Sequence, residues 1–321
     1  MSLKPFVDST SLLQVPDALR QRMAEDGYLY LRHVVDPAVL LDLRKQFIEE
    51  LVNVGWLRQP DDPLRATPAI VPYVEGEEGY FTAYDRIQKL EAFHRLPHHP
   101  DIEQVMQTVL GKAAFPHPLA IARLVFPQNE EWSTPPHQDF PNNQGTEELY
   151  ACWMPLGDCP AEQGALTILE GSHRFGLMPL EFALGAGHRQ ALLNAEMQRL
   201  DWVGGDLQCG DMLIFHSHTV HRAGHNISSQ MRLSVDYRFQ REGDALTEHC
   251  LKPHFQRLTW EEIYAAWEAR DIAYYWRNKN YSIEPWNADL HAISVEQEQE
   301  AIRVSLKNER KRERLRQDSK Q

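Results

Sequence analysis

The rhythm of hydrophobic positions changes near residue 118. Before it the period is largely helical. Residues 17–26 read as a short helix, followed by the β-rich run Tyr28-Leu29-Tyr30-Leu31. Asp36 then serves as N-cap and Pro37 as the first helical residue of a helix with Leu40, Leu43, Phe47 and Leu51 on one face. Residues 57–82, rich in Pro, Gly and Glu, are predicted as a long loop, and in a compact domain such loops are usually functional or mobile. Helical spacing returns over 86–111. Beyond 118 the pattern becomes short strands, at 119–126, 148–156, 164–170, 211–217 and 232–239, separated by turn residues. This alternation predicts a sandwich or jelly roll rather than a parallel βαβ sheet.

An aromatic-rich stretch at 259–289 needs burial and is expected to pack on the core. The final helix ends in a basic run from Arg303 to Lys320, read as a solvated, frayed end in preference to a charge-steered partner site. No repeat or linker divides the chain, so a single domain is expected. Its parts are a helical and loop segment (1–117), a β core (118–240) and an aromatic and helical extension (241–321).

Composition narrows the classes. With 42% hydrophobic and 25% charged residues over 321 positions, the chain is a folded protein able to bury a core without disulfides. Its net charge of −13 argues against a general nucleic-acid or anionic-membrane surface, so neither partner is expected. No apolar run reaches transmembrane length, and the first 25 residues lack the order of a signal peptide. The four cysteines form no Cys-x-x-Cys pair, which indicates free thiols in a reducing cytoplasm.

The candidate chemistry lies at His137-Gln138-Asp139. On a strand, an imidazole and a carboxylate at i and i+2 share a face, and one further His would complete the two-His, one-carboxylate set that suits Fe(II). With 15 histidines such a spacing arises by chance, and it recurs at His99-Pro100-Asp101. There Asp101 and Gln104 read instead as a capping box. Context separates the two. Downstream of His137 come a Gly210-Asp211 turn, a strand, a stretch holding His216, His218, His221 and His225, and a strand opening with Arg232. An Arg at that place offers a planar fork for a carboxylate beside a metal. On spacing alone, His218 and His225 remain alternatives to His221.

From Gly27 to Phe239 the chain resembles the phytanoyl-CoA dioxygenase-like branch of Fe(II)/2-oxoglutarate oxygenases. The matching pieces are the segment from Gly27 to Arg32, His137-Gln138-Asp139, Gly164-Ala165-Leu166 leading to Gly171-Ser172-His173-Arg174, the strand ending at His221, and Arg232 eleven residues later. The resemblance implies a mainly β, cupin-like jelly-roll core (a double-stranded β-helix) with flanking helices. It implies Fe(II) held by His137, Asp139 and His221, with 2-oxoglutarate and O2 as co-substrates. Arg232 would anchor the distal carboxylate of 2-oxoglutarate, and Gln138 and Trp153 would line its pocket. The five-residue step from His216 to His221 also fits the family, whereas Ala223 replaces a Ser frequent in relatives and implies a slightly altered pocket. His173 is read as structural.

Related halogenases lack the carboxylate, so Asp139 favours hydroxylation. Desaturation, demethylation and ring formation share the same first step. Substrate contacts are expected from Arg123, Tyr73 and Tyr80 and from the aromatic stretch. A small metabolite of amino-acid-like or secondary-metabolism type is preferred to an acyl-CoA, since no basic cluster awaits the coenzyme phosphates. The rival classes are a cupin-type protein hydroxylase and a non-catalytic metal-binding module.

Overall fold

The computed structural model describes residues 3–59, 61–111, 113–127 and 133–318. Helix α1 (Pro16–Asp26) turns through Gly27 into strand β1 (Tyr28–Leu31). Gly27 adopts φ 77°, and a Cβ there would stand 2.3 Å from His173 Nδ1, so both conformation and space require glycine. Helix α2 (Pro37–Asn53) starts as the sequence predicts, with the Asp36 carboxylate accepting from the Ala38 N–H. The following loop is shorter than expected, because α3 (Glu78–Ile87) occupies its end; α4 (Glu91–Arg95) and α5 (Pro100–Leu110) complete the helical part. At α5 the cap lies two residues earlier than expected. Pro100 fixes the first helical φ, His99 stays extended, and its ring accepts from the Asp101 N–H. Asp101 is therefore inside the first turn and forms no capping box.

The β part comprises β2 (Ala114–Pro116) and β3 (Ile121–Val125), then, after a short helix α6 (Phe140–Asn143), β4 (Tyr150–Pro155), β5 (Leu166–Leu169), β6 (Leu180–Phe182), β7 (Arg189–Ala191), β8 (Trp202–Val203), β9 (Met212–His216), β10 (His221–Ala223) and β11 (Arg232–Arg241). An antiparallel sheet runs in the order β1-β9-β4-β11-β2, with β3 also paired to β11. A smaller antiparallel sheet has the order β10-β5-β8. Beyond them lie β12 (Ala245–Thr247), α7 (Trp260–Tyr264), β13 (Ser282–Glu284) and the long α8 (Val295–Asp318).

Strand β11 explains how the large sheet positions chemistry. Leu233, Val235, Tyr237 and Phe239 join the main core with residues of α2 and α5 such as Phe47 and Met106. The alternate residues Arg232, Ser234, Asp236, Arg238 and Gln240 face the other way, yet each is at most 4% exposed. A buried polar stripe of this kind needs partners or a ligand.

Two expectations for the C-terminal part meet the structure differently. Tyr264, Trp267 and Trp276 are buried in a cluster of their own with Trp260 partly buried against it, whereas Trp286 of the same stretch is exposed. Helix α8, in contrast, is docked rather than frayed. Arg312 Nε donates to Glu77 Oε1 at 2.7 Å, and Arg316 Nη2 donates to Glu77 Oε2 at 2.8 Å while lying over the Tyr73 ring. Part of the basic run is thus spent on a nearly buried carboxylate; Lys320 lies outside the described residues. All four cysteines are buried and free. No helix among the described residues is long and apolar enough to cross a membrane.

Candidate metal centre and adjoining cavity

His221 opens β10, and His137 reaches it as an isolated antiparallel bridge. The two residues exchange both backbone hydrogen bonds, His137 N–H to His221 O at 2.9 Å and His221 N–H to His137 O at 3.0 Å. Their rings are thereby held 4.1 Å apart between centroids. Asp139 is placed differently from the expected strand alternation. It has helical φ −77° and ψ −27° as N-cap of α6, and its N–H donates to Ser217 O at 2.9 Å. The carboxylate reaches the imidazoles because the chain turns immediately after His137, rather than because i and i+2 share a pleat.

Asp139 Oδ1 lies 3.8 Å from both His137 Nε2 and His221 Nε2. Each imidazole uses Nδ1 on a backbone carbonyl, Pro135 O at 2.9 Å and Thr219 O at 3.1 Å, so each Nε2 lone pair is directed at the shared space. Among the described residues this is the one group of three ligand-type side chains with mutual spacing suited to a metal, its atoms within 4.8 Å of one another. His218 instead packs edge-on against Phe140, and the exposed His225 is bonded to Ser133 Oγ. Burial pushes the His137 imidazole down to about 3, which keeps it neutral and able to ligate. The second oxygen of Asp139 meets Arg238 Nη2 at 2.9 Å, and Arg238 also grips Asp236 with both terminal nitrogens. Despite burial, Arg238 and the two imidazoles hold the Asp139 carboxyl down to about 2.

Arg232, at the opposite end of the stripe, has no acidic partner among the described residues. It donates to Gly164 O, its Nε is unpartnered, and burial lowers its pKa to about 10. The Trp153 ring lies 5.8 Å from its guanidinium, and both Trp153 Nε1 and Ser234 Oγ are buried without hydrogen bonds. Gln138 is otherwise engaged. Its Nε2 donates to Gly176 O and His218 O and its Oε1 accepts from the Met178 N–H, so the amide is consumed in tying a loop to the turn before His221.

A cavity of ≈ 360 Å³ opens over His137, Asp139 and Arg238. Arg123 borders it between Glu75 and Asp236, at 3.4 and 3.5 Å. Tyr73 and Tyr80 border an adjoining pocket of ≈ 40 Å³ that shares Glu75, Arg123, Thr134 and Ala186 with this cavity, and they stack on Trp56 and Tyr84 respectively.

The comparisons with known proteins bear on this geometry. A family model of phytanoyl-CoA dioxygenase (PhyH) matches residues 23–234. The chain belongs to the phytanoyl-CoA dioxygenase family. It is a non-haem iron oxidoreductase that uses Fe(II), 2-oxoglutarate and O2. Similar proteins include the 1-deoxypentalenic acid 11-beta-hydroxylases of Streptomyces exfoliatus, 28% identical over 256 residues (74% of this chain, 86% of that protein), and of Streptomyces arenae, 28% over 252 residues (73% and 84%). The epimerase SnoN, solved with Fe3+, alpha ketoglutarate and nogalamycin RO, shares the fold at TM-score 0.54 and 19% identity, covering 74% of this chain and 87% of its own.

In this phytanoyl-CoA dioxygenase family member, one cavity wall comes from beyond the family match. His249, His254, Phe255, Trp286 and His291 all border the cavity and all follow residue 234. Of these, sequence reasoning reached only Trp286, through the aromatic stretch. The histidines carried no local signal, since their role depends on where the extension folds back.

Proposed function

We propose that His137, Asp139 and His221 hold Fe(II), that Arg232 receives the distal carboxylate of 2-oxoglutarate, and that the enzyme hydroxylates a small secondary-metabolite-type molecule in the adjoining cavity. The two sheets are then the halves of a double-stranded β-helix. The observation carrying the reading is the trio itself: two Nε2 atoms and one carboxylate oxygen converge in a buried site where both imidazole Nδ1 atoms are occupied by backbone carbonyls and the second carboxylate oxygen faces Arg238. Such a set fits Fe(II) and leaves positions for co-substrates.

Bound iron and 2-oxoglutarate supply the oxidising chemistry, with release of succinate and CO2. The chain's own residues position and shield it. Pro135 O and Thr219 O fix the imidazole tautomers, and Arg238 occupies the second oxygen of Asp139, which leaves one oxygen for the metal. The uncompensated Arg232 guanidinium, with the free Trp153 N–H and Ser234 hydroxyl beside it, offers an anionic ligand charge and hydrogen bonds that the protein does not provide. Arg123 borders the cavity with only long ion pairs and is assigned to the substrate. The hydroxylase relatives support a hydroxylation outcome on a small molecule.

The test is an anaerobic titration with Fe(II) and then 2-oxoglutarate, following the visible charge-transfer band. A saturable band, lost together with turnover in His221→Ala, is expected. No band in folded, iron-reconstituted protein would overturn the assignment.

A further inference from the structure

Outside the metal centre, one cavity side chain has its protonation state fixed by its neighbours. The Tyr84 hydroxyl accepts two hydrogen bonds, from Gln88 Nε2 at 3.2 Å and from the Ala122 N–H at 3.3 Å. The Gln88 amide cannot be reversed, since the same nitrogen donates to Ala120 O at 3.1 Å. A hydroxyl has two lone pairs and one proton. With both lone pairs used, the proton must go to the third neighbour, His254 Nδ1, at 2.6 Å. Nδ1 is then an acceptor, and a neutral His254 carries its proton on Nε2. Burial and the nearby Arg123 keep the ring neutral by holding its pKa well below the ordinary value. Nε2 has no hydrogen-bond partner among the described residues, and the ring borders the ≈ 360 Å³ cavity that contains His137 and Asp139.

The backbone adds an independent observation. Phe255 and Gln256 adopt φ 63° and 53°, two successive left-handed residues that are not glycine. Such conformations are unfavourable and persist where surrounding contacts over-determine them. Here the Phe255 ring stands edge-on to Phe81 and Tyr84, at 5.1 and 5.2 Å, and His254 is delivered to the cavity by that turn.

We infer that His254 is a substrate-reading residue, a tautomer-locked neutral imidazole whose Nε2–H donates to an oxygen acceptor (a carbonyl, ether or hydroxyl oxygen) on a substrate with an apolar portion. Leu119, Ile121, Phe255 and Trp286 provide the apolar surroundings for such a molecule. The inference rests on the small-molecule oxygenase reading above and deepens it. It places a specificity element in the extension beyond the family match, so relatives sharing the metal site need not share the donor.

The experiment uses full-length protein labelled with 15N-histidine, with His254→Phe assigning the resonance and cyclohexanone as probe, since it has one acceptor oxygen on an alicyclic body. Expected are a neutral ring protonated at Nε2, and a saturable shift of that nitrogen with cyclohexanone that methylcyclohexane does not reproduce. Cyclohexanone binding, read by saturation-transfer NMR, should weaken about three- to tenfold in His254→Phe and recover in part in His254→Gln. Tyr84→Phe should release the tautomer lock, visible as Nδ1 protonation. A ring protonated at Nδ1 in the unsubstituted protein, no response to cyclohexanone, or an equal response to both probes would overturn the inference. The Fe(II)/2-oxoglutarate band measured on the same sample separates the two claims. A band without the His254 response removes only the donor, and a missing band removes the oxygenase reading.

Discussion

Two arginines on the polar face of β11, Arg232 and Arg238, stand in opposite states. Arg238 faces two acids, hydrogen-bonded to Asp236 and ion-paired with the second oxygen of Asp139, with only its Nε left unpartnered. Arg232, six residues earlier on the same face and equally buried, has a carbonyl and an aromatic ring for company and, among the described residues, no carboxylate. A buried cation is costly unless paired, so the acid-paired arginine reads as structure and the other as a place held for a ligand's charge. Burial alone would not have distinguished them. The partner count does.

Removing the acid-paired arginine should have the larger effect. Arg238→Gln leaves the buried Asp139 carboxylate without its arginine and Asp236 with only the longer contact to Arg123, and a loss of about 3–5 kcal/mol in denaturant unfolding is expected. The matching change at the other arginine, Arg232→Ala, should leave stability nearly unchanged while weakening 2-oxoglutarate by about 1.5–3 kcal/mol, read from the charge-transfer titration. Equal stability losses in the two variants would erase the contrast, as would unchanged co-substrate affinity in Arg232→Ala.

Acid sharpens the same comparison. Burial lowers the pKa of His94 and His117 to about 4, so between their unfolded value near 6.5 and about pH 4 the unfolded chain binds more protons than the folded one. Stability therefore falls as pH drops through that window, by roughly 1.4 kcal/mol per pH unit for each ring. The Asp139 carboxyl, held down to about 2 beside Arg238, contributes stability above its unfolded pKa that is lost only as pH falls toward the folded value. Urea midpoints from pH 7 to 4 should fall steadily, and substituting His117 with Gln should flatten the slope. A flat profile in the unsubstituted protein would contradict the neutral burial of these rings. The smallest effect is expected at Trp153→Phe, which removes one unpartnered indole N–H beside Arg232 and should weaken 2-oxoglutarate by about 0.5–1.5 kcal/mol.

What was legible in the sequence followed from local rules. Asp36 and Pro37 begin α2 as capping chemistry requires, and the five strands predicted beyond residue 118 appear near their expected bounds because alternation and turn residues lie within a few positions of each other. The convergence of His137 and Asp139 was anticipated for a partly mistaken reason, since the chain bends into α6 where a strand was assumed. Long-range pairing was not legible. Glu77 captures Arg312 and Arg316 across more than two hundred residues, and Tyr73 is recruited under Arg316 by that docking. A basic run viewed locally looks solvated, and an aromatic loop looks like a binding wall. Only the fold reveals that each is the other's partner.

The reciprocal hydrogen bonds between His137 and His221 have a consequence for metal identity. The two candidate imidazole ligands are clamped to each other by backbone, and the candidate carboxylate is held by Ser217 O and Arg238. By raw affinity, nitrogen and oxygen donors favour cobalt, nickel and copper over iron in that rising order. Purification in air should therefore leave the site exposed to mismetallation, and anaerobic reconstitution with Fe(II) should restore the iron-loaded enzyme.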